Sequence, residues 1–410
     1  MAHSGWRTPF VVLAFGSAML AISVGIRHGF GLFLQPMSID HAWGREIFGF
    51  AIALQNLVWG ATQPFTGMFA DRYGAGRTAL IGCGFYVGGL LLMAHSHSAI
   101  TLALSAGVLI GIGLSCTTFA TVFAAIGRSL PAEKRSMAMG LSGAVGSFGQ
   151  FLFMPIEQGL LTWFGWSTAL MLLALVTLLI IPLSSALFDD GRAPAHATDL
   201  TIGGALREAG VHRGFILLSA GYFVCGFHVT FIGTHLPAFL SDKGLSAGVA
   251  TMTLALVGLL NVVGSYMAGA LGSRWRKPMI LTWIYVFRAV SITLFAFVIP
   301  LTEWSAYAFG IAIGLTWLAT VPLTAGTVAS IFGVKNMSML SGITFFCHQV
   351  GAFLGGWMGG KLFDSTGSYD IVWIVAIGLG IIAALLTWPV TERPVARLAP
   401  TGTIMIRIGS

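Results

Sequence analysis

Two arginines stand where a cation needs a reason to be. Of the 21 Lys and Arg residues, only Arg27 and Arg288 fall deep inside apolar stretches long enough to cross a bilayer, and no Asp or Glu sits beside either one. A cation at that depth costs roughly 3 kcal/mol or more, so a use for it is expected. A guanidinium presents a planar fork of donors that matches a carboxylate bidentately, and the chemistry is that of an anion clamp. The bland reading of Arg27 is that it bonds backbone carbonyls at a kink among Gly25, Gly29 and Gly31. For Arg288 a substrate role and a tie to neighbouring helices weigh equally.

Other polar groups gather at the same depth. Gln55, Asn56, Gln150, His228, Asn261 and His348 lie near the centres of their apolar stretches, and Arg27 lies about 7 Å outward of its own centre at 1.5 Å per residue. So many polar groups at one level describe a site or hydrated cavity. His228 and His348 are the candidates for a proton site, because imidazole titrates near physiological pH. Glu157, the one acid inside an apolar stretch, falls near the end of its span. Thr118 and Thr320 are further candidates, although hydroxyls inside helices more often bond their own backbone. Trp317 and Phe231 would wall an apolar part of a ligand or simply pack. No HExxH, phosphate loop, nucleophile elbow or paired-carboxylate pattern appears, so neither enzyme chemistry nor a metal or cofactor is implied.

The elements that must position these groups are membrane helices. The 410 residues are 56% hydrophobic and 9% charged, with mean hydropathy +0.87, far from the composition of a soluble domain. Twelve apolar stretches recur near 8–36, 45–70, 78–96, 99–126, 136–163, 166–188, 214–240, 247–272, 278–299, 304–332, 338–362 and 370–390. Each is long enough to cross roughly 30 Å of hydrocarbon as a helix. The fold class expected is all-α and membrane-embedded. The first stretch is too long for a cleavable h-region and carries Arg27, so it reads as a signal anchor.

A net charge of +7 invites a nucleic-acid partner, but the positions of the charges say otherwise. With both termini in the cytoplasm, Arg7, Arg72, Arg77, Arg128, Lys134, Arg135, Arg192, Arg207, Arg213, Arg274, Arg276, Lys277, Lys335, Arg393, Arg397 and Arg407 fall inside, and only Arg45, Lys243 and Lys361 outside. That asymmetry is the positive-inside rule. Cys83, Cys116, Cys225 and Cys347 lie within spans without metal-ligand spacing and read as packing residues.

One long polar stretch, 189–213, divides the chain into a six-helix bundle over 1–188 and a second over 214–410. The two match at a constant offset of 202: Gly67 with Asp71-Arg72 answers Gly269 with Ser273-Arg274, Gly149-Gln150-Phe151-Leu152 answers Gly351-Ala352-Phe353-Leu354, Thr118 answers Thr320, and Gly165 answers Gly367. Such internal symmetry is a transporter signature. Gly67-Met-Phe-Ala-Asp71-Arg72-Tyr-Gly74-Ala-Gly-Arg77 resembles the loop motif of the major facilitator superfamily, with one basic residue at its end instead of two. In the motif Gly67 permits close helix contact, and Asp71 is expected to face the positive N-terminus of helix 11 as a cytoplasmic latch, with Arg72 and Arg77 beside it.

A finer resemblance lies in Gly25-Ile-Arg27-His-Gly-Phe-Gly31-Leu-Phe33-Leu-Gln-Pro36, His348-Gln-Val-Gly351-Ala-Phe-Leu-Gly355 and Asp364-Ser-Thr-Gly367-Ser-Tyr369. These are similar to bacterial relatives of the monocarboxylate transporters and oxalate/formate exchangers, which keep a basic residue before a Gly-aliphatic-Phe run in helix 1. Where that family keeps an Asp and an Arg in helix 8, this chain has Asn261 and Gly264. The resemblance implies helices 3, 6, 9 and 12 as outer supports and helix 7 as cavity lining, which favours His228 over His348. It implies a monomeric secondary transporter of the bacterial inner membrane, taking up a small organic anion such as lactate or pyruvate with a proton. The alternatives are carboxylate exchange, export of a drug-like compound, or a transporter-like receptor.

Overall fold

The computed structural model describes residues 6–130, 132–188, 202–333 and 337–395. They form twelve helical columns. In chain order these are α1 (Pro9–His28, then Gly31–Asp40 after a break), α2 (Arg45–Tyr73), α3 (Ala75–Ala94) and α4 (Ala99–Ser129). A 46-residue helical run, Ala132–Thr177, folds at Gly165 (φ 74°), giving α5 (132–164) and α6 (166–187). The second set is α7 (Arg213–Asp242), α8 (Ala247–Gly272), α9 (Lys277–Thr293), α10 (Glu303–Thr316, then Thr320–Phe332), α11 (Met337–Thr366) and α12 (Asp370–Thr387). Of the polar stretch expected as a linker, residues 202–211 form a short helix and 189–201 lie outside the described residues. Arg192, Lys335, Arg397 and Arg407 and the side chain of Arg135 also lie outside them.

Nine described helical runs are long and apolar enough to cross a membrane, the run 137–187 supplying two columns. The exceptions, α2 and α11, pack on each other. Large apolar side chains such as Phe10, Trp283, Ile374 and Leu385 are exposed on the flanks, as a lipid-facing surface requires.

The internal symmetry is physical. Gly165 and Gly367, 202 apart, both take positive φ (74° and 71°) at equivalent turns, a conformation that glycine adopts without strain. Gly149 presses on the backbone of Ala21, and Gly351 on that of Phe223, with no room for a Cβ in either place; partners and glycines alike are 202 apart. Small residues of this kind let membrane helices approach closely. Thr118 and Thr320 both stand at helix breaks, in α4 and α10.

The seam between the bundles is α2 on α11, α5 on α8 and the second piece of α1 on α7. At one end it is tightly shut. Gly31 abuts Gly233 O, Gly49 abuts Gly356 O, and Gly360 abuts the Arg45 backbone. At the other end Gly67, Gly140, Gly143 and Gly342 meet no described atom within 4 Å of where a Cβ would stand. Among the described residues, the close backbone contacts that press the halves together lie at the Arg45 end.

Candidate functional site

Where the seam between the bundles closes, polar residues from both halves collect. The first piece of α1 ends at His28, where Gly29 N and Phe30 N reach back only three residues, to Ile26 O (3.3 Å) and Arg27 O (3.4 Å). This tightening stops the helix and presents Arg27 in its last turn. Its guanidinium donates to Asn56 Oδ1 on α2 and lies 5.3 Å from the centre of the Trp59 ring. Asn56 is itself fixed by donating to Ile52 O (2.8 Å). Arg27 is half-buried, its Nε has no hydrogen-bond partner, and among the described residues no carboxylate pairs with it. The positive charge is held by neutral groups alone.

Across the seam, Trp59 meets Phe345 of α11 edge-on, ring centres 5.6 Å apart, and Phe345 stacks on His348 at 5.9 Å. Gly60 packs on Gln349, whose Oε1 lies 3.1 Å from His348 Nδ1. His348 Nε2 has no partner, and its ring lies 4.8 Å from that of Tyr222 on α7. Arg27, Asn56 and Trp59 from one half and Tyr222, Phe345, His348 and Gln349 from the other thus form one continuous lining. Trp59, Tyr222, Phe345 and Gln349 carried no role in the sequence reading. Trp59 sits three residues after Asn56 on the same helical face, and Gln349 adjoins His348, which were the available signals.

The structure brings other predicted residues to different tasks. Gln150 is buried at the α5–α8 contact, wedged against Gly258, with its Oε1 unpartnered. Asn261 is a cross-brace, donating to Ser147 (3.0 Å) and accepting from Leu318 N (2.9 Å). Thr118 bonds its own helix at Leu114 O (2.6 Å), and Thr320 meets Cys225 Sγ at 3.1 Å.

His228, favoured from sequence as cavity-lining, turns instead toward α12, where its Nε2 lies 2.8 Å from Ala376 O. Arg288, weighed evenly by sequence between a substrate role and a tie to neighbouring helices, makes helix-to-helix bonds here and keeps Nη1 unpartnered. Its guanidinium, 1% exposed, donates to Thr316 O and to Trp317 O (2.6 Å), the carbonyls freed where α10 breaks. It ties α9 to α10, as unsatisfied carbonyls in an apolar interior demand.

At the Arg72 end Asp71 pairs with Arg128 of α4 (3.2 Å), within its own bundle, and the residues just before α11, which the latch would face, lie outside the described residues. Arg77 donates to Tyr73 O (3.1 Å), and the Arg72 guanidinium lies 5.3 Å from the Tyr73 ring. At the shut end the bonding runs between bundles. Asp364 of α11 accepts from the N–H groups of Arg45 (2.9 Å) and Glu46 (2.7 Å), capping α2, and Glu46 accepts from Trp357 (3.0 Å) and Lys361 (3.2 Å).

The family model for the Major Facilitator Superfamily matches residues 11–356, with a second match over 218–404. The chain belongs to the major facilitator superfamily. This superfamily member is 26% identical over 398 residues to an uncharacterized MFS-type transporter, YcxA, of Bacillus subtilis, covering 93% of this chain and 95% of that one. It is 25% identical to monocarboxylate transporter 13 of Rattus norvegicus (93% and 89% covered) and 23% identical to the oxalate:formate antiporter of Oxalobacter formigenes (96% and 94%). Its fold is similar to that of a bacterial homologue of the human lysosomal transporter Spinster, in an inward-facing and unoccupied conformation, with a TM-score of 0.72, 15% identity and 94% of each chain covered.

Proposed function

We propose that this chain carries a small monocarboxylate, of the size of lactate or pyruvate, across a bacterial inner membrane together with a proton. The observation that carries the reading is Arg27, a half-buried cation at the seam whose partners are Asn56, His28 Nε2 (3.5 Å) and the Trp59 face, with no carboxylate paired to it among the described residues. A carboxylate arriving there gains charge-assisted hydrogen bonds in a poorly solvated site, and Trp59 and Phe345 wall its short apolar part. The likeness to relatives named as monocarboxylate transporters supports the same substrate class.

The distribution of basic residues puts the termini in the cytoplasm and the Arg45 end outside, so the shut end faces outward. Alternating access then consists of rocking the bundles about the Arg27–His348 level. Asp71, Gly67, Arg72 and Arg77 act in the opposite state, when the inner end shuts and Asp71 reaches the start of α11. Replacing Asp71 with Asn should raise the accessibility of inner-end cysteines, and unchanged accessibility would count against that gate.

The test of the whole reading is uptake of labelled lactate into proteoliposomes under an imposed pH gradient, acid outside. Accumulation supports coupled uptake, and counterflow indifferent to pH would replace it with exchange. Stabilisation of the purified protein by lactate without any flux would point to a receptor.

A further inference from the structure

Glu157 is the most isolated acid among the described residues. It lies on α5 with 0% exposure, and neither carboxyl oxygen has a hydrogen-bond partner. It is pressed against Gly29, where Oε2 occupies the space that any side chain at position 29 would need. An ionised carboxylate in such a place would forfeit several kcal/mol of solvation with no hydrogen bond in return, so the group sits there as the neutral acid while the pocket stays sealed.

Its surroundings make that proton useful. Gly29 is the hinge between the two pieces of α1, two residues after Arg27 and directly after His28. Tyr86 of α3 donates its hydroxyl to Ser23 O (3.0 Å), one turn before Arg27 on α1. His28 is already spoken for, with Nδ1 2.7 Å from Val24 O. The other charged or titratable group of α1 and its extension is Asp40, which accepts from Trp166 at the outer end, and the one on α8, Tyr266, is 79% exposed on another face. Arg27, two residues before the Gly29 contact, is the one cation on α1 and α8.

We propose that Glu157, packed on the α1 hinge at Gly29, is the group that takes up and releases the coupled proton, with Arg27 linking its ionisation to the substrate. This rests on the carboxylate reading of the Arg27 site and assigns the proton step within it. When the outer end opens, the second piece of α1 leaves α7, where Gly31 abuts Gly233 O, and the pocket around Glu157 loosens toward the outside. The carboxylate then takes one proton from water and becomes the acid. An anion on Arg27 cancels the cation that favours the ionised form, so anion and proton strengthen each other's binding, and that linkage is reciprocal. Once the anion leaves inward, the freed guanidinium lowers the cost of the carboxylate, and the proton passes to water on that side when the hinge at Gly29 next loosens the sealed pocket.

The experiment compares wild type, Glu157→Gln and Glu157→Asp in proteoliposomes, with labelled lactate and a one-unit pH gradient, alongside lactate-induced melting shifts at pH 5.5 and 7.5. One proton per anion sustains at most roughly tenfold accumulation per pH unit. The wild type should approach that figure, Glu157→Asp should retain accumulation at a lower rate, and Glu157→Gln should show a ratio near one with a lactate shift that no longer depends on pH. Accumulation by Glu157→Gln at the wild-type ratio overturns the assignment. So does loss of accumulation in both variants, which would make the carboxyl a packing group only. If the wild type itself fails to accumulate lactate, the coupled-uptake reading falls. The role of Glu157 is then judged on the melting shifts: it stands if their pH dependence is present in wild type and absent in Glu157→Gln, and falls otherwise.

Discussion

Arg45 of α2 and Asp242 of α7 join the two bundles through a pair of parallel hydrogen bonds, each 2.6 Å long. The same guanidinium meets the Tyr369 hydroxyl at 3.0 Å and lies 3.8 Å from the centre of the Phe363 ring. One side chain thereby gathers α7, α11 and the turn before α12 onto the start of α2. The pair is partly sheltered, with 12% and 29% of the two side chains exposed, so solvent screens it only in part. It belongs to the state in which the Arg45 end is shut.

Removing it should favour the other state. Asp242→Asn is expected to weaken the shut end by about 1 kcal/mol, a roughly fivefold shift in a two-state ratio. Labelling of a cysteine placed at Thr230, which is buried at the seam beside Gly356, should speed up accordingly. An unchanged labelling rate would mean that the glycine contacts alone hold this end.

Gly31 and Gly67 offer a steric version of the same test. A methyl at position 31 would collide with Gly233 O, whereas at position 67 it would meet no described atom within 4 Å. Gly31→Ala should therefore hold the Arg45 end open and suppress transport, since close-packed backbone cannot yield by that much. Gly67→Ala should leave the present state undisturbed and impede only the opposite one. Crosslinking of cysteine pairs across each end distinguishes them, and equal effects at both ends would contradict the asymmetry of the seam.

The anion site makes a charge-specific prediction. Arg27→Gln keeps a polar side chain but loses the cation, and lactate-induced stabilisation should vanish while the unliganded protein melts as before. Asn56→Asp should be as damaging for a different reason, because the new carboxylate would occupy the guanidinium fork itself. A charge-assisted hydrogen bond is worth about 1.5–3 kcal/mol, so affinity should fall roughly tenfold to a hundredfold, measured by titration in a melting assay. Undiminished affinity in either variant would remove Arg27 from the site.

Arg288 should behave as a structural residue. Arg288→Leu strands Thr316 O and Trp317 O in the interior, at about 1–3 kcal/mol each, and should lower the melting temperature even without ligand. Arg288→Lys should fall between, since an ammonium can serve one carbonyl well but not both in the same fork. A variant that melts normally yet loses lactate binding would return Arg288 to the substrate site.

What the sequence determined by itself is what local chemistry decides. A segment in a bilayer must close its own backbone hydrogen bonds, so apolar length alone marks the helices, and a buried arginine is conspicuous wherever it lies. The repeat at offset 202 was legible for the same reason. Gly165 and Gly367 answer a backbone requirement at one turn, and Gly149 and Gly351 a close approach of one helix pair, so each pair is fixed in residue type as well as position. Which way each side chain turns was not legible, because rotation of a membrane helix about its axis is set by its packing neighbours and not by its own apolar composition. Tertiary structure alone turned His228 to Ala376 O and Arg288 to the broken strand of carbonyls in α10, and left Arg27 at the seam. It also paired Asp71 with Arg128 and brought Glu157 against the hinge at Gly29, contacts between positions far apart in the chain whose meeting depends on how the columns pack and which end of the seam is shut.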